Sequence, residues 1–168
     1  AYAGTCIYET AQNGSLDRSI NVGNSDANGQ GVFKNADKGI VVAGALNVGI
    51  KSSEFGIDNG TSAVGAIDLV SIDVKDIQDK YFQLTDENKF YDFNQGVYLH
   101  GLVNTSKIKI ENNWFFDGRY SNQISHGIVC TGNNAITDID VRISQNHFGG
   151  ETGMNWENPW NGVELDNI

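Results

Sequence analysis

Two carboxylates near the end of the sequence have the spacing of a proton-transfer pair. Glu164 and Asp166 occupy alternate positions of Val163-Glu-Leu-Asp166, so in a β-strand both would lie on the same face. Their β-carbons would then be roughly 6.5–7 Å apart, compatible with the roughly 6.5–9.5 Å between acid and base in inverting glycosidases. One carboxyl could protonate a leaving group while the other activates water. The alternative is that both are solvated surface charges.

Further polar and aromatic residues could bind a substrate beside this pair. In the register of the repeats, Asp68 and Tyr98 share an outward row with Glu164, and His100 shares a second row with Asp166. Trp156 and Trp160 lie in a loop rich in Asn and Glu. Aromatic rings beside such polar groups suit sugars, whose C–H faces stack while their hydroxyls form hydrogen bonds. The alternative is that the rings pack on the fold or on another chain. The predicted substrate-binding residues are Asp68, Tyr98, His100, Trp156 and Trp160.

A short template recurs along the chain and predicts the elements that would hold these residues. It reads small residue, apolar, any, apolar, any, turn residue. Its first apolar position is occupied by Ile40, Ile67, Val97, Ile128 and Val163, at intervals of 27 to 35 residues. A second template, apolar-x-apolar leading to Phe, follows three of these copies and twice ends in Asn-x-Phe, at Asn113–Phe115 and Asn146–Phe148. Alternation of period two predicts strands, with Gly and Asn at sharp turns.

Repeats of this length with several short strands predict a solenoid. Each coil would expose its apolar positions unless it stacked on a neighbour about 4.8 Å away. The first sheet would bury Val42, Leu69, Leu99, Cys130 and Leu165 in one stack, which makes Cys130 a small core residue. Asn113 and Asn146 would form an amide ladder at equivalent turns. A β-sandwich also has regularly spaced strands, but it does not require the same template in each turn.

Composition and charge exclude several classes of protein and of partner. The chain has 168 residues with 20 Gly, 20 Asn and one Pro, which disfavours helical bundles and coiled coils. A formal net charge of −10 argues against nucleic acid and anionic membranes as partners, and no window approaches a membrane span. Two cysteines 124 residues apart, Cys6 and Cys130, are too few for a disulfide scaffold.

The combined template resembles a known superfamily. It consists of Gly-apolar-x-apolar-x-Gly, a short turn, Ile-x-Ile-x-x-Asn-x-Phe and a variable loop. This pattern resembles the right-handed parallel β-helix of pectate-lyase-like proteins, and most of all a bacteriophage tailspike or polysaccharide depolymerase. The resemblance covers about residues 40–168. It implies an all-β solenoid of about five coils of 27–35 residues, but no particular reaction, because this superfamily hosts many chemistries.

What the resemblance implies for function is an extracellular or virion-tail module, expected as a trimer, that binds and cleaves a polysaccharide as a hydrolase or a lyase. Glu164 and Asp166 are then the expected catalytic pair, with no cofactor. Lyases of this fold commonly use clustered Asp ligands for Ca²⁺, so Asp138 and Asp140 are the alternative metal site. In the predicted register Asp140 lies beside Lys107 and Arg142 beside Lys109, which is also the pattern of a mixed-charge ladder.

The organisation of the chain suggests an alternative without chemistry. Residues 1–38 are expected to form an irregular N-terminal coil and residues 39–168 the regular coils. The start lacks Met and a signal segment, and Val163–Ile168 begins a coil that the sequence does not complete. A processed chain or a piece of a longer β-helix is therefore expected. The alternative function is a structural or adhesive β-helix whose open coil ends stack on other chains to form a filament.

Overall fold

All regular structure in the described part of the chain is β-strand. The computed structural model describes residues 5–10, 19–23, 31–34, 38–44, 47–56, 70–75, 81–91, 93–102, 107–116, 125–132, 139–149, 160–166 and 168. Its strands are, in chain order, β1 (Thr5–Thr10), β2 (Ser19–Val22), β3 (Val32–Lys34), β4 (Lys38–Ala43), β5 (Asn47–Lys51), β6 (Glu54–Gly56), β7 (Val70–Lys75), β8 (Tyr81–Thr85), β9 (Lys89–Tyr91), β10 (Gln95–Leu102), β11 (Lys107–Glu111), β12 (Trp114–Phe116), β13 (Ser125–Gly132), β14 (Asp140–Ser144), β15 (His147–Phe148) and β16 (Trp160–Asp166).

The strands form three parallel sheets in which each strand pairs with the strand three places later in the chain. The first sheet has the order β1-β4-β7-β10-β13-β16, the second β14-β11-β8-β5-β2 and the third β15-β12-β9-β6-β3. The chain therefore visits the three sheets in turn and returns to each one beside its previous strand. This order is compatible with a parallel β-helix and differs from the antiparallel pairing of a β-sandwich.

Stacked rows of apolar side chains form the core between the sheets. Val42, Val74, Leu99 and Cys130 are in register in the first sheet, and each is fully buried. Burial of a side chain of this size contributes roughly 1.5–3 kcal/mol. The predicted core position of Cys130 is confirmed, and burial raises the pKa of its thiol to about 12.

A stack of phenylalanine rings in the third sheet explains the glycines that begin the strands of the first sheet. The rings of Phe33, Phe55, Phe90, Phe115 and Phe148 lie parallel, with neighbouring centroids 4.6–5.0 Å apart. A β-carbon added to Gly127 would lie 2.8 Å from the Gly162 carbonyl oxygen and 2.8 Å from the Phe148 ring. The rings fill the space that a side chain would need.

An asparagine ladder closes the corner between the second and third sheets. Asn113 Nδ2 donates to Asn146 Oδ1 at 2.9 Å, and Asn88 Nδ2 donates to Asn113 Oδ1 at 2.8 Å. The same amides pair with backbone groups, because Asn113 Nδ2 also donates to the carbonyl oxygens of Leu84 and Glu111. The predicted ladder of Asn113 and Asn146 is confirmed, and Asn88 adds a member that the repeat pattern did not predict.

The register of one coil differs from the prediction. The residue that pairs with both Ile40 and Val97 is Ile72, so the predicted assignment of Ile67 to this row is wrong. Asp73 occupies the outward position predicted for Asp68, which lies outside the described residues. Both segments alternate apolar and polar residues, and long-range pairing decides between them.

The N-terminal segment contains three strands that extend the three sheets. β1 pairs with β4, β2 with β5 and β3 with β6, all in parallel. The predicted boundary at residue 38 coincides with the first residue of β4. The division into an irregular N-terminal coil and regular coils beyond it stays a prediction.

Candidate functional site

The outward face of three neighbouring strands in the first sheet brings together four of the residues predicted from the sequence. Tyr98 on β10 pairs with Val129 on β13, which pairs with Glu164 on β16. The next outward row is His100, Thr131 and Asp166. Because side chains of a strand alternate between its faces, these two rows share one surface.

The outward side chains of these three strands differ in size, with the smaller ones on the middle strand, β13. The floor is β13, where Val129 is buried and Thr131 is half-buried. One wall carries Tyr98 and His100, and the other carries two acidic side chains. The walls stand two strand spacings apart, about 9–10 Å between backbones. We call this surface, made of the six outward residues of β10, β13 and β16, the trough.

His100 is held in place by a buried carboxylate. Its Nε2 lies 2.7 Å from Oδ1 of Asp73, which is 8% exposed, and its ring stacks on Tyr98 with centroids 4.4 Å apart and planes 6° from parallel. Oδ2 of Asp73 accepts a hydrogen bond from Lys38 Nζ at 2.5 Å. Both carboxylate oxygens are therefore paired, and the imidazole is contacted on an edge and on a face.

The backbone also changes direction next to His100. The pairing of β10 with β13 shifts between His100 and Leu102, and the residue between them, Gly101, has a φ of 63°. A left-handed φ costs glycine little, which suits it to a bulge of this kind. Bulges turn side chains away from the regular alternation of a strand, and they are common beside active sites.

The acidic wall is exposed, and one of its carboxylates has a close basic neighbour. Glu164 Oε2 lies 2.8 Å from His126 Nδ1, an ion-pairing distance when the imidazole is protonated, although the two groups lack the alignment of a hydrogen bond. The Glu164 side chain is 46% exposed. Asp166 is also exposed. Both carboxylates are accessible to a ligand that lies in the trough.

The other predicted substrate contacts fall partly or wholly outside the described residues. Trp156 and Asp68 lie outside them. The backbone of Trp160 begins β16 and pairs with Ser125, but its side chain is not described. Sequence reasoning missed Asp73 and Lys38. Alternation around Ile72 and Val74 was the signal for Asp73, and nothing in the sequence singled out Lys38.

A charged network covers part of the second sheet. Glu111 accepts contacts from Lys109 at 2.8 Å and from Arg142 at 2.5 Å, and Ser144 Oγ donates to it at 3.0 Å. The hydrogen bond from Lys109 is the main cause that lowers the pKa of the Glu111 carboxyl; Ser144 and Arg142 act in the same direction against some desolvation. The predicted alignment of Arg142 with Lys109 is confirmed.

The second sheet gives no support to the alternative calcium site. Asp138 lies outside the described residues, and Asp140 is exposed with Lys107 as its cross-strand neighbour. A lysine at that position supplies a competing cation where Ca²⁺ would need further oxygen ligands. Within the described ranges, no group of three His, Cys, Asp or Glu residues could hold a metal ion.

Aromatic side chains also form a patch on the outer face of the third sheet. Tyr91 stacks on Phe116 at 5.1 Å, Phe116 lies 5.8 Å from Trp114, and Trp114 lies 4.5 Å from His147. Trp114 and His147 are exposed, and Tyr91 and Phe116 are half-buried. Phe90 and Phe93 are fully buried, so these two rings pack inside the fold.

Comparisons add no relative from which a function could be transferred. No protein-family model, no curated protein and no solved structure matches the chain. In the part of the chain that the structure describes, no helix is long and apolar enough to cross a membrane.

Proposed function

We propose that this chain is a right-handed parallel β-helix of about five coils that binds and cleaves an extracellular polysaccharide, in the manner of a tailspike or depolymerase. The three parallel sheets with a period of three strands support the fold. The motif resemblance of Gly-apolar-x-apolar-x-Gly and Asn-x-Phe supports the class. Under this proposal the protein acts outside the cell or in a virion tail, as a trimer.

The trough is the observation that carries the proposed function. It combines two aromatic or imidazole rings, two carboxylates and two smaller side chains on one outward face. An open channel suits a linear polymer, which enters from the side and continues beyond both ends. Tyr98 and His100 supply rings, and Glu164 and Asp166 supply acceptors for sugar hydroxyls.

Cleavage of a glycosidic bond needs groups that move protons, and the trough holds such groups. Glu164 and Asp166, the pair that the sequence predicts to be catalytic, supply the carboxylates of the proposed site, and Tyr98, His100 and Trp160 are proposed substrate contacts. Trp156, predicted from the sequence, remains a proposed contact outside the described residues, whereas the row position predicted for Asp68 belongs to Asp73. Hydrolysis would need a proton acceptor for water and a proton donor for the leaving oxygen. No cofactor enters this proposal.

Incubation of the 168-residue chain with a panel of bacterial capsular and plant polysaccharides tests the proposal. We expect new reducing ends with at least one member of the panel, and Glu164→Gln or Asp166→Asn should reduce their rate of formation. Ultraviolet absorbance of unsaturated uronate products separates a lyase from a hydrolase. If no polysaccharide is bound or cleaved, the proposed function is wrong.

Exposed apolar side chains of β16 favour one alternative, a structural or adhesive β-helix that forms a filament. Val163 and Leu165 continue the inward rows of Ile128 and Cys130, yet they are 40% and 54% exposed. Contact with another chain would cover them. Electron microscopy of the purified protein distinguishes the two functions, because discrete particles contradict the filament and fibres support it.

A further inference from the structure

We infer that His100 and Asp166, on opposite walls of the trough, are the groups that transfer protons, and that Asp73 positions His100. This inference rests on the proposed function. It replaces the pairing of Glu164 with Asp166 suggested by their spacing in the sequence, and it assigns a role to Asp73, which the repeat pattern did not predict.

The direction of the trough is the first reason. In an inverting hydrolysis the acid and the base lie on opposite sides of the scissile bond. The middle strand, β13, carries the smaller side chains, so a polysaccharide in the trough has β10 on one side and β16 on the other. Glu164 and Asp166 stand on the same wall. His100 and Asp166 stand on opposite walls, at the two ends of one cross-strand row through Thr131.

The separation of the two groups is the second reason. Two strand spacings place their backbones about 9–10 Å apart. In inverting enzymes the two groups are roughly 6.5–9.5 Å apart, which leaves room for the attacking water. The backbone separation lies at the upper end of this range.

The third reason is that His100 is more firmly fixed than a surface histidine would be. Asp73 contacts Nε2 at 2.7 Å, Tyr98 stacks on the ring, and the bulge at Gly101 follows directly in the chain. A buried carboxylate that accepts one ring N–H fixes the orientation of the imidazole. Nδ1 is then the ring nitrogen left for a ligand.

Glu164 has a different neighbour and therefore a different role. Its Oε2 lies 2.8 Å from Nδ1 of His126, which belongs to β13. This contact holds the carboxylate at the row of Val129, one row away from Thr131. Glu164 is a substrate contact beside the reacting row, and its loss should weaken binding more than turnover.

The chemical step follows from these positions. The Asp166 carboxylate accepts a proton from water as the water oxygen bonds to the anomeric carbon. The bond between that carbon and the leaving oxygen breaks, and the leaving oxygen takes the Nδ1 proton of the His100 imidazolium. Water is consumed, and the product has the inverted anomeric configuration. Exchange with solvent restores the starting proton on each group.

The kinetic test uses the polysaccharide that the wild-type chain cleaves in the capsular and plant panel. We expect His100→Gln and Asp166→Asn to lower kcat by about 10²–10⁴-fold while binding by isothermal titration calorimetry is retained. Glu164→Gln should raise KM and keep kcat within tenfold. Gln83→Ala, on the exposed face of the second sheet, is the matched surface control. Circular dichroism shows whether each variant folds.

Two further readouts separate a positioning role of Asp73 from a merely structural one. Asp73→Asn should lower kcat with little change in KM, because the imidazole loses the carboxylate that orients it, and Asp73→Glu should restore part of kcat. Lys38, Lys75 and Asp166, the other charged groups around His100 on β4, β7 and β16, are unchanged in this variant. Proton NMR of the first product should show the inverted anomer.

The outcomes separate this inference from the proposed function. Three results would overturn the pair of His100 and Asp166 but leave the proposed function standing, provided that the wild-type chain cleaves a polysaccharide. They are a kcat of His100→Gln within tenfold of wild type, a product that retains the anomeric configuration, and an unsaturated product. An unchanged kcat in Asp73→Asn, or a loss of kcat matched by an equal rise in KM, overturns the positioning role. Absence of cleavage by the wild-type chain overturns both.

Discussion

Replacement of Asn113 by alanine should strongly destabilise the protein, because this side chain links three successive coils. Asn113 is 1% exposed. Its Nδ2 donates to Leu84 O at 3.0 Å, to Glu111 O at 2.9 Å and to Asn146 Oδ1 at 2.9 Å. Its Oδ1 accepts from the backbone N–H of Asn88 at 3.3 Å and from Asn88 Nδ2 at 2.8 Å.

The size of the effect follows from the groups that Asn113→Ala leaves without partners. Each hydrogen bond contributes about 1 kcal/mol net, and a buried donor or acceptor without a partner costs about 1–3 kcal/mol. The Asn88 backbone N–H loses its acceptor, and both bound carbonyl oxygens lose a donor. We therefore expect a loss of about 4 kcal/mol in the free energy of unfolding, and a melting temperature lower by about 8–16 °C.

Urea denaturation followed by circular dichroism measures this loss, with Asn47→Ala as the matched control. Asn47 is half-buried, and its Oδ1 accepts from Tyr81 N at 3.2 Å. Loss of such a bond should cost about 1 kcal/mol. If the two variants lie within about 1 kcal/mol of each other, the ladder does not stabilise the fold in the way described.

Three other predictions concern the core and the charged surface. Gly127→Ala should lower the free energy of unfolding by about 1–3 kcal/mol, because its β-carbon would lie 2.8 Å from a backbone oxygen. The control, Gly49→Ala, meets only the end of a side chain within 3 Å and should change the urea midpoint little. Cys130, whose pKa is raised to about 12, should react with iodoacetamide at pH 8 at least about 100-fold more slowly in the native than in the unfolded protein; equal rates, measured by peptide mass spectrometry, would contradict its burial. Glu111→Gln should destabilise at neutral pH, because a lowered pKa means that the ionised carboxyl stabilises the fold above the usual Glu range. That difference from wild type should shrink as pH falls through the lowered pKa, and a constant difference in urea midpoint across that range would contradict it.

The repeats predicted the strand class and most of the register because apolar alternation and glycine positions reflect local packing. Ile40, Val97, Ile128 and Val163 occupy one row as expected. The glycines that precede these strands were predicted as turn residues, but the structure gives them a second reason. They lie against the phenylalanine stack, a contact between sheets that no local pattern reveals.

One coil lacks the second template for a specific local reason. Asn88-Lys-Phe90 repeats the Asn-x-Phe motif, but an extra residue separates it from Leu84, so the second template does not match there. The structure accommodates the extra residue with two consecutive left-handed residues, Asp86 and Glu87, each at φ 62°. Asn-x-Phe alone would have placed Phe90 in the ring stack.

The candidate site was only partly predictable from the sequence, because some of its contacts depend on how distant strands pair. Tyr98, His100, Glu164 and Asp166 follow from alternation within their own strands, and pairing then aligns them. The contact of Asp73 with His100 depends on the register of a third strand, which the sequence left open between two alternating segments. Lys38 is the first residue of β4 and precedes the alternating apolar residues of that strand. Its contact with Asp73 forms only when β4 and β7 pair.

Blocking the trough floor tests the central claim most directly. Thr131→Trp would place a large ring between His100 and Asp166, and Gln83→Trp would place the same ring on the exposed face of the second sheet. Calorimetric titration with the polysaccharide that the wild-type chain binds should show binding lost in Thr131→Trp and preserved in Gln83→Trp. Equal affinity of the two folded variants would contradict the assignment of the trough as the saccharide site.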